Sequence, residues 1–312
     1  MKKGLIGVLI MAAVFTAGYV LAFAIHRYIP GERQIENKYT LLAPIPNLIG
    51  EWVHHTDLNQ IKNEIRQYMN EQGVEYSFYV EHLATGTTIE LNEKNAFVAA
   101  SLLKLPIVID VMRQVDLGSI QLNQKIELKE EHKDTRYGSL HKASAGTKIT
   151  VEEAIKRSLV NSDNTATNML QSLAMDASPN AKILEVLDYN WQYDEQSEPE
   201  IDAEAYTEIL KCLYYSCFLS LGSSQKILEY MTLSPPNGIS SPLPSNIKVA
   251  HKIGVARDVK SDCGIIYARE NSYSFCLMVN ADEKEANRIT SHVSKTIYER
   301  MLESAMELKK KK

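Results

Sequence analysis

A serine and a lysine stand three residues apart at Ser101 and Lys104, and two further groups of polar residues follow them along the chain. These are Ser-Asp-Asn at 162–164 and Lys-Ile-Gly at 252–254. Residues at i and i+3 share one face of a helix, so the Lys104 amine would lie beside the Ser101 hydroxyl. A serine hydroxyl is a weak nucleophile until a neighbouring base takes its proton. The spacing therefore predicts an enzyme with Ser101 as nucleophile and Lys104 as base.

Lys104 can act as a base only if its surroundings lower its pKa from the ordinary value of about 10.4. Burial and a second cation, for which Lys252 is the candidate, would both have that effect. Pro106 is best tolerated near a helix start, which predicts that the helix begins at or just before Ser101. Taken alone, Ser101 would equally suit a helix N-cap, with Lys104 as a solvated side chain. The two later groups of residues, in this order, favour catalysis.

The three groups resemble the motifs of class A serine beta-lactamases and of the penicillin-recognising peptidases related to them. The resemblance runs from about Asp57 to the C-terminal helix. Residues 97–117 and 162–170 (SDNTATNML) are similar to that family's nucleophile helix and second-motif helix. The resemblance implies an α+β fold of the beta-lactamase and transpeptidase type, an acyl-enzyme on Ser101, and no metal or organic cofactor.

The same resemblance implies roles for the second motif. Ser162 would relay the proton to the leaving nitrogen, and Asn164 would hold the amide side chain of the substrate. Without the resemblance, Ser162 or Asp163 would be explained as the cap of a helix whose apolar residues follow at 166–170.

The resemblance also implies an oxyanion hole, made of the backbone N–H groups of Ser101 and Val255. Tyr137 corresponds in position to the aromatic residue that walls the family's cleft. It could equally be a surface residue, since the chain has 16 tyrosines.

The third motif lies in an apolar run at 247–253 that predicts a strand. From there Lys252 would supply fixed positive charge to the cavity. Gly254 would let a substrate backbone lie close against the strand.

Two departures from the family pattern bear on the substrate. The family carries Thr or Ser between the Lys and Gly of its third motif, and that hydroxyl binds the substrate carboxylate, whereas Ile253 has none. Losing a hydrogen bond to a charged group costs about 1.5–3 kcal/mol. Arg257 could compensate.

The second departure concerns removal of the acyl group, for which class A enzymes use a glutamate on a long loop. The sequence at 198–202, Glu-Pro-Glu-Ile-Asp, resembles that element, with Asp202 in place of the expected Asn. A helical pattern through Tyr206 begins almost at once, so the loop would be much shorter than the family's. Glu198 to Asp202 equally fit an acidic helix start.

The chain has 312 residues, of which 45% are hydrophobic and 23% charged, enough for one large domain or two interleaved subdomains. Its 34 Lys and Arg residues against 39 Asp and Glu residues give a net charge of −5. No basic stripe interrupts this balance, which argues against nucleic acid as a partner. The basic run at 309–312 predicts a solvated tail.

Four cysteines are too few for a disulfide framework in a chain of this length, and none has the spacing of metal ligands. Cys212 and Cys217 are predicted to lie on one helix and to point to different faces. Cys263 and Cys276 fall on two predicted neighbouring strands. Buried free thiols are the favoured state, and a bridge between Cys263 and Cys276 is the alternative.

Lys2 and Lys3 precede an uncharged, mostly apolar stretch at 4–25 that is long enough to span a bilayer. We predict an uncleaved single-pass anchor at 1–25, with its lysines cytoplasmic and the catalytic domain outside the bacterial cell membrane. Cleavage after Ala24, at an Ala-x-Ala site, is the alternative and would give a secreted protein.

Scattered prolines and the lack of a sustained period predict a linker at 26–53, followed by the folded domain at 54–308. Asp57 is the candidate N-cap of its first helix, which has an apolar stripe. Strands are predicted near both ends of the domain, at 76–83, 87–91, 248–252, 264–267 and 273–279. The architecture is α+β: an antiparallel sheet flanked by terminal helices, with an inserted helical lobe.

The sequence thus predicts a serine acyl hydrolase that acts on beta-lactams or on related, peptidoglycan-like amides. One alternative is a cell-wall peptidase that acts on D-Ala-D-Ala ends, and another is a catalytically lapsed penicillin-binding or sensing module. The intact first and second motifs argue against the lapsed form, and Ile253 argues for it.

Overall fold

A computed structural model describes residues 38–43, 58–177, 192–193, 198–268 and 271–310. Within these ranges the helices are α1 (Asn59–Gln72), α2 (Lys104–Asp116), α3 (Val151–Val160), α4 (Asn164–Ala177), α5 (Ala203–Tyr214), α6 (Leu221–Met231) and α7 (Glu283–Lys310). The strands are β1 (Tyr76–His82), β2 (Thr87–Leu91), β3 (Phe97–Val98), β4 (Lys125–Glu127), β5 (Lys148–Thr150), β6 (Gln192–Tyr193), β7 (Pro199–Ile201), β8 (Lys248–Ala256), β9 (Val259–Tyr267) and β10 (Tyr273–Asn280). Short 3-10 helices lie at Ala100–Leu103, Glu130–His132 and Leu140–Lys142.

The central sheet joins the two ends of the domain. Its five strands have the order β2-β1-β10-β9-β8, and every neighbouring pair is antiparallel. The pairing of β1 with β10 runs from Tyr76 opposite Val279 to His82 opposite Tyr273. β8 is an edge strand, and it lies against the 3-10 turn at Ala100–Leu103.

Helices cover both faces of this sheet. α1 and α7 pack on one face of the sheet through apolar stripes. The stripe of α1, which the sequence predicted, consists of Ile61, Ile65 and Met69, and that of α7 consists of Ile289, Val293, Ile297 and Met301. The helices of the inserted lobe, α2 to α6, form the second apolar core with the opposite face. Because strands are buried on both sides, β1 is apolar without interruption at its centre. The α+β architecture predicted from the sequence is confirmed.

A small sheet connects the segment before Ser101 with the segment before α5. β3 pairs with β7, and the Ala99 N–H donates to the Pro199 carbonyl oxygen (2.9 Å). α5 follows β7 at once, with Asp202 as its N-cap accepting from the Ala205 N–H (2.8 Å). The segment at 198–202 is therefore fixed next to the strand that leads to Ser101.

The element boundaries differ from the predictions in two ways. The last three strands of the sheet are longer than predicted, because backbone pairing continues through small and polar residues that carry no strand pattern, such as Gly254 opposite Ser261. α1 begins at Asn59, and its N-cap position is Leu58, without a side-chain cap. Asp57, the predicted cap, lies outside the described residues.

The favoured state of the cysteines was wrong for one pair. Cys263 and Cys276 form a disulfide, since they are direct partners in the β9–β10 register and cross-strand partners bring their Cβ atoms within reach of an S–S bond. Cys212 and Cys217 are free thiols, but Cys217 is exposed. It lies beyond the end of α5, so the prediction of two faces of one helix was also wrong.

Part of the predicted linker packs onto the domain. Leu41 and Leu42 are buried, and the Ala43 N–H donates to the Tyr214 carbonyl oxygen (2.9 Å). The remainder of the linker, the predicted anchor at 1–25 and the last two residues of the basic tail lie outside the described residues. Among the helices that the structure does describe, none combines the length and the apolar character needed to cross a membrane.

Candidate active site

Ser101 lies in the 3-10 turn that leads into α2. The turn begins at Ala100, whose backbone is left-handed (φ 47°), so helical structure starts just before Ser101, as Pro106 predicts. Leu102 and Leu105 are fully buried and anchor the turn in the core, while Ser101 lines the cleft. A left-handed backbone at a residue other than glycine costs about 1–3 kcal/mol and persists where the surrounding structure enforces it.

The Lys104 amine is the centre of the hydrogen-bond network. Its Nζ donates to Ser101 Oγ (2.7 Å) and to Asn164 Oδ1 (2.6 Å). It also reaches the carbonyl oxygen (2.8 Å) and the Oγ (3.0 Å) of Ser162. An ammonium group has only three N–H donors, so these acceptors saturate it. When neutral, the amine is in position to accept the proton of Ser101.

Ser162 connects the serine with both lysines. Its Oγ donates to Ser101 Oγ (2.9 Å) and accepts from Lys252 Nζ (3.0 Å). Ser162 also has a left-handed backbone (φ 53°). The three sequence motifs therefore meet at one point. α4 begins at Asn164, and the residue that caps it is Asp163 rather than Ser162, because Asp163 Oδ1 accepts from the N–H at the third position of the helix (3.1 Å).

Asp163 also binds the backbone of the neighbouring loop at residues 137–140. Its Oδ2 accepts from the N–H groups of residues 139 and 140 (2.7 and 2.9 Å). Gly138 makes this approach possible: it has φ 91°, and a Cβ at this position would lie 2.3 Å from Asp163 Cγ. The loop carries Tyr137, which is 61% exposed and lines the mouth of the cleft.

Burial sets the charge of the two lysines. It lowers the pKa of Lys104 from 10.5 to about 8, against the opposing effect of the Asp163 and Asp134 carboxylates. Burial, and then the charge of Lys104, lower the pKa of the fully buried Lys252 to about 7. Burial thus lowers the pKa of Lys104 in the predicted direction, but the cation that adds to this effect is Arg136 and not the predicted Lys252. The role of Lys252 as a source of positive charge in the cavity stays a prediction.

A cleft of about 880 Å³ opens over Ser101. Four of the predicted binding residues line it, namely Asn164, Lys252, Val255 and Tyr137. Val255 is half-exposed on the edge strand β8, across from the serine turn.

Gly254 lies close to the serine turn. A Cβ at this position would lie 3.0 Å from the Ala99 carbonyl oxygen and 3.2 Å from Leu102 Cγ. The glycine therefore lets β8 approach the backbone of the serine turn. The approach of a substrate backbone to Gly254 stays a prediction.

Glu198 and Arg257 both line the cleft. Arg257 lies in the turn between β8 and β9 with a left-handed backbone (φ 52°), and its Nη2 lies 4.0 Å from Glu198 Oε1. The interpretation of this acidic segment as a helix start is correct for Asp202, which caps α5. Glu198 instead precedes β7 and faces the same cavity as Ser101.

Sequence reasoning missed an ion pair on the cleft wall. Arg136 Nη2 lies 2.6 Å from Asp134 Oδ2, and this contact holds the pKa of the Asp134 carboxyl well below its usual range. The Asn164 side chain also hydrogen-bonds to Asp134, so it links this carboxylate to Lys104. The only signal in the sequence was a polar run at 132–137 without any period, which marks a loop but not its neighbours.

The side chains of the described residues also differ from the clusters that bind metal ions. In those ranges, no group of three or more His, Cys, Asp or Glu side chains could hold a metal ion.

Comparison with known proteins agrees with this geometry. The sequence profile of the beta-lactamase enzyme family matches residues 60–301. The beta-lactamase VEB-1 of Pseudomonas aeruginosa is 25% identical over 234 residues, which are 66% of this chain and 77% of VEB-1. Because the profile spans well over half of the sequence, the chain belongs to the beta-lactamase enzyme family and is a serine hydrolase of the class A-like type.

Solved structures share the fold. The acyl-enzyme complex of a PBP-A mutant with penicillin G superposes with a TM-score of 0.71 and 19% identity, over 79% of this chain and 97% of that one. The beta-lactamase of Sphaerobacter thermophilus gives a TM-score of 0.70 and 21% identity, over 79% of this chain and 98% of that one.

Proposed function

We propose that this member of the beta-lactamase enzyme family forms an acyl-enzyme on Ser101 with beta-lactams or related amides and then hydrolyses it. One observation carries the proposal: Ser101 Oγ lies within hydrogen-bond distance of both Lys104 Nζ (2.7 Å) and Ser162 Oγ (2.9 Å), on the wall of an open cleft. The first is the group that takes a proton, and the second is the group that returns one.

Acylation begins when neutral Lys104 accepts the proton of the Ser101 hydroxyl. Ser101 Oγ then bonds to the amide carbonyl carbon, and the carbonyl oxygen becomes an oxyanion. The backbone N–H groups of Ser101 and Val255 are the proposed donors to that oxyanion. This role is supported by the presence of both residues in the lining of the cleft.

Collapse of the intermediate breaks the C–N bond, and the leaving nitrogen needs a proton. Ser162 supplies it, because its hydroxyl already lies between Ser101 and the two amino groups. The proton that Ser162 gives up is replaced from Lys104 or Lys252. Asn164 would exchange its contact with Lys104 for the amide side chain of the substrate, and Tyr137 would wall the entrance.

Removal of the acyl group requires an activated water molecule. Glu198 is the proposed general base, since its carboxylate lines the cleft next to the strand pair that leads to Ser101. Arg257 borders this carboxylate, since its Nη2 lies 4.0 Å from Glu198 Oε1.

The substrate carboxylate lacks the hydroxyl donor that the family's third motif provides. Ile253 offers it no hydroxyl, and we propose that Arg257 and Lys252 supply the charge instead. An anion bound there favours the charged form of Lys252, and repulsion between the two amines then leaves Lys104 neutral.

A cell-wall peptidase acting on D-Ala-D-Ala ends is the second candidate. Ile253 does not separate it from the beta-lactam hydrolase, because a D-Ala-D-Ala end and a penicillin both carry a carboxylate. A lapsed module is disfavoured by the continuous network from Ser101 through Lys104 and Ser162 to Lys252.

We further propose that the domain works outside the bacterial cytoplasm on a membrane tether. Lys2 and Lys3 followed by the apolar stretch at 4–25 support a single-pass anchor. The buried disulfide between Cys263 and Cys276 supports an oxidising compartment.

The deciding experiment follows the intact mass of the full-length protein, in detergent, after mixing with penicillin G. An adduct that forms and then decays to free enzyme supports the hydrolase, and an adduct that persists favours the peptidase. Ser101→Ala should give no adduct. An adduct that still forms in this variant would reject Ser101 as the nucleophile.

A further inference from the structure

The C-terminal end of α5 brings two thiols together outside the cleft. The helix has Tyr215 as its C-cap, and Ser216 follows with a left-handed backbone (φ 54°). The Cys217 N–H donates to the Cys212 carbonyl oxygen (2.8 Å), and the Ser216 N–H donates to the Leu213 carbonyl oxygen (3.1 Å). This pair of hydrogen bonds defines a Schellman motif.

A Schellman motif places the side chain after the left-handed residue against the side chain in the last turn of the helix. In most proteins that contact is apolar, but here both members are cysteines. The Cys212 thiol hydrogen-bonds to the sulfur of Cys217. Cys212 is half-buried and Cys217 is exposed, so Cys217 is the residue that an external reagent can reach first.

We propose that Cys212 and Cys217 are a redox-active dithiol, which closes to a reversible disulfide by exchange with low-molecular-weight disulfides. The backbone supports this closure, because a 6→1 hydrogen bond keeps the two residues within the separation that a disulfide needs. The proposal is independent of the chemistry at Ser101.

The reaction proceeds in two exchanges. The Cys217 thiolate attacks the external disulfide, so that a mixed disulfide forms and one thiol leaves with a proton. Cys212 then loses its proton, its sulfur attacks the Cys217 sulfur, and the second thiol leaves. Two protein thiols are oxidised, and one external disulfide is reduced to two thiols.

The order of attack follows from the surroundings of the two sulfurs. Burial and the hydrogen bond to Cys217 raise the pKa of Cys212 to about 12, so it is a poor initial nucleophile. The exposed Cys217 reacts first, and Cys212 resolves the mixed disulfide. The disulfide between Cys263 and Cys276 takes no part, because both residues are fully buried in the central sheet.

The test incubates the reduced full-length protein, in detergent, with oxidised glutathione, then quenches it with acid and alkylates it in denaturant. Mass spectrometry of peptides should show a Cys212–Cys217 crosslink and loss of both free thiols. Added reduced glutathione should reverse the crosslink. Penicillin labelling of Ser101, measured on the same samples, should not change.

Two matched variants separate the steps. Cys212→Ser should stop at a glutathione adduct on Cys217, because the resolving thiol is absent. Cys217→Ser should react at least about tenfold more slowly than the unmodified protein, since only the shielded thiol remains. Thermal unfolding and penicillin labelling check that both variants are folded.

Three results would each overturn the proposal. The first is a stable glutathione adduct on Cys217 in the unmodified protein, the second is a crosslink between two chains, and the third is equal reaction rates in both variants. A failure of penicillin labelling with an intact crosslink would contradict the proposed function alone.

Discussion

The two buried amines make a specific prediction for the pH dependence of acylation. Acylation needs neutral Lys104 as base, and binding of a carboxylate substrate needs charge on Lys252. In the active form of the enzyme, only one of the two amines is protonated. Their pKa values of about 7 and about 8 belong to one coupled pair, so the rate should follow a bell-shaped curve.

The size of the effect follows from these values. The singly protonated form is most abundant near about pH 7.5, and it falls about twentyfold by about pH 5.5 and again by about pH 9.5. A solvated lysine with a pKa of 10.5 would be about 300-fold less often neutral in the acidic limb than Lys104 with a pKa of about 8. Burial is thus the main source of basicity.

The measurement is the second-order rate of adduct formation with a penicillin by stopped flow or quenched mass spectrometry between pH 5 and 10. The methyl ester of the same penicillin is the matched control: it lacks the carboxylate, so it should lose the alkaline limb and keep the acidic one. Lys104→Arg keeps a cation but cannot act as a base, and it should form no adduct. A flat profile, or adduct formation by Lys104→Arg at the unmodified rate, would refute the reasoning.

Three further predictions concern the departures and the N-terminus. Ile253→Thr should accelerate penicillin acylation about tenfold, because a restored charge-assisted bond contributes about 1.5 kcal/mol, whereas the decay of the adduct should not change; an unaltered acylation rate would reject the argument from Ile253. Glu198→Gln should leave acylation intact but slow adduct decay by about a hundredfold or more, followed by intact mass, since a general base contributes at least that much. Full-length protein should stay with membranes after alkaline carbonate washing, and its release or a mature N-terminus at residue 25 would indicate a cleaved signal.

The sequence was sufficient where the signal is local or ordered. The spacing of Ser101 and Lys104 predicts a shared helix face, and Pro106 locates the helix start. The apolar stripes of the terminal helices and the strands near both chain ends predict one sheet with an inserted lobe, and the sheet order confirms it. The inferences about helices depend on residues close together in the chain, and the inference of one sheet depends on the order of the elements.

What could not be predicted depends on pairing between distant residues. The disulfide follows from the register that sets Cys263 opposite Cys276, and no local pattern fixes a register. The neighbour of Gly254 is the Ala99 carbonyl oxygen, which only the packing of β8 on the serine turn brings there. The ion pair of Asp134 with Arg136 lies in a loop, where periodicity carries no information.

The protonation of the two lysines shows most clearly what the sequence predicts and what only the fold determines. The motifs name two lysines, but a lysine in water is protonated and useless as a base. Both amines hydrogen-bond to Ser162, and burial lowers the pKa of Lys104 to about 8 and that of Lys252 to about 7. That burial exists because the serine turn, the start of α4 and the edge strand β8 meet where the inserted lobe closes on the sheet. The sequence therefore identifies the reacting groups, and the fold sets the protonation that lets them react.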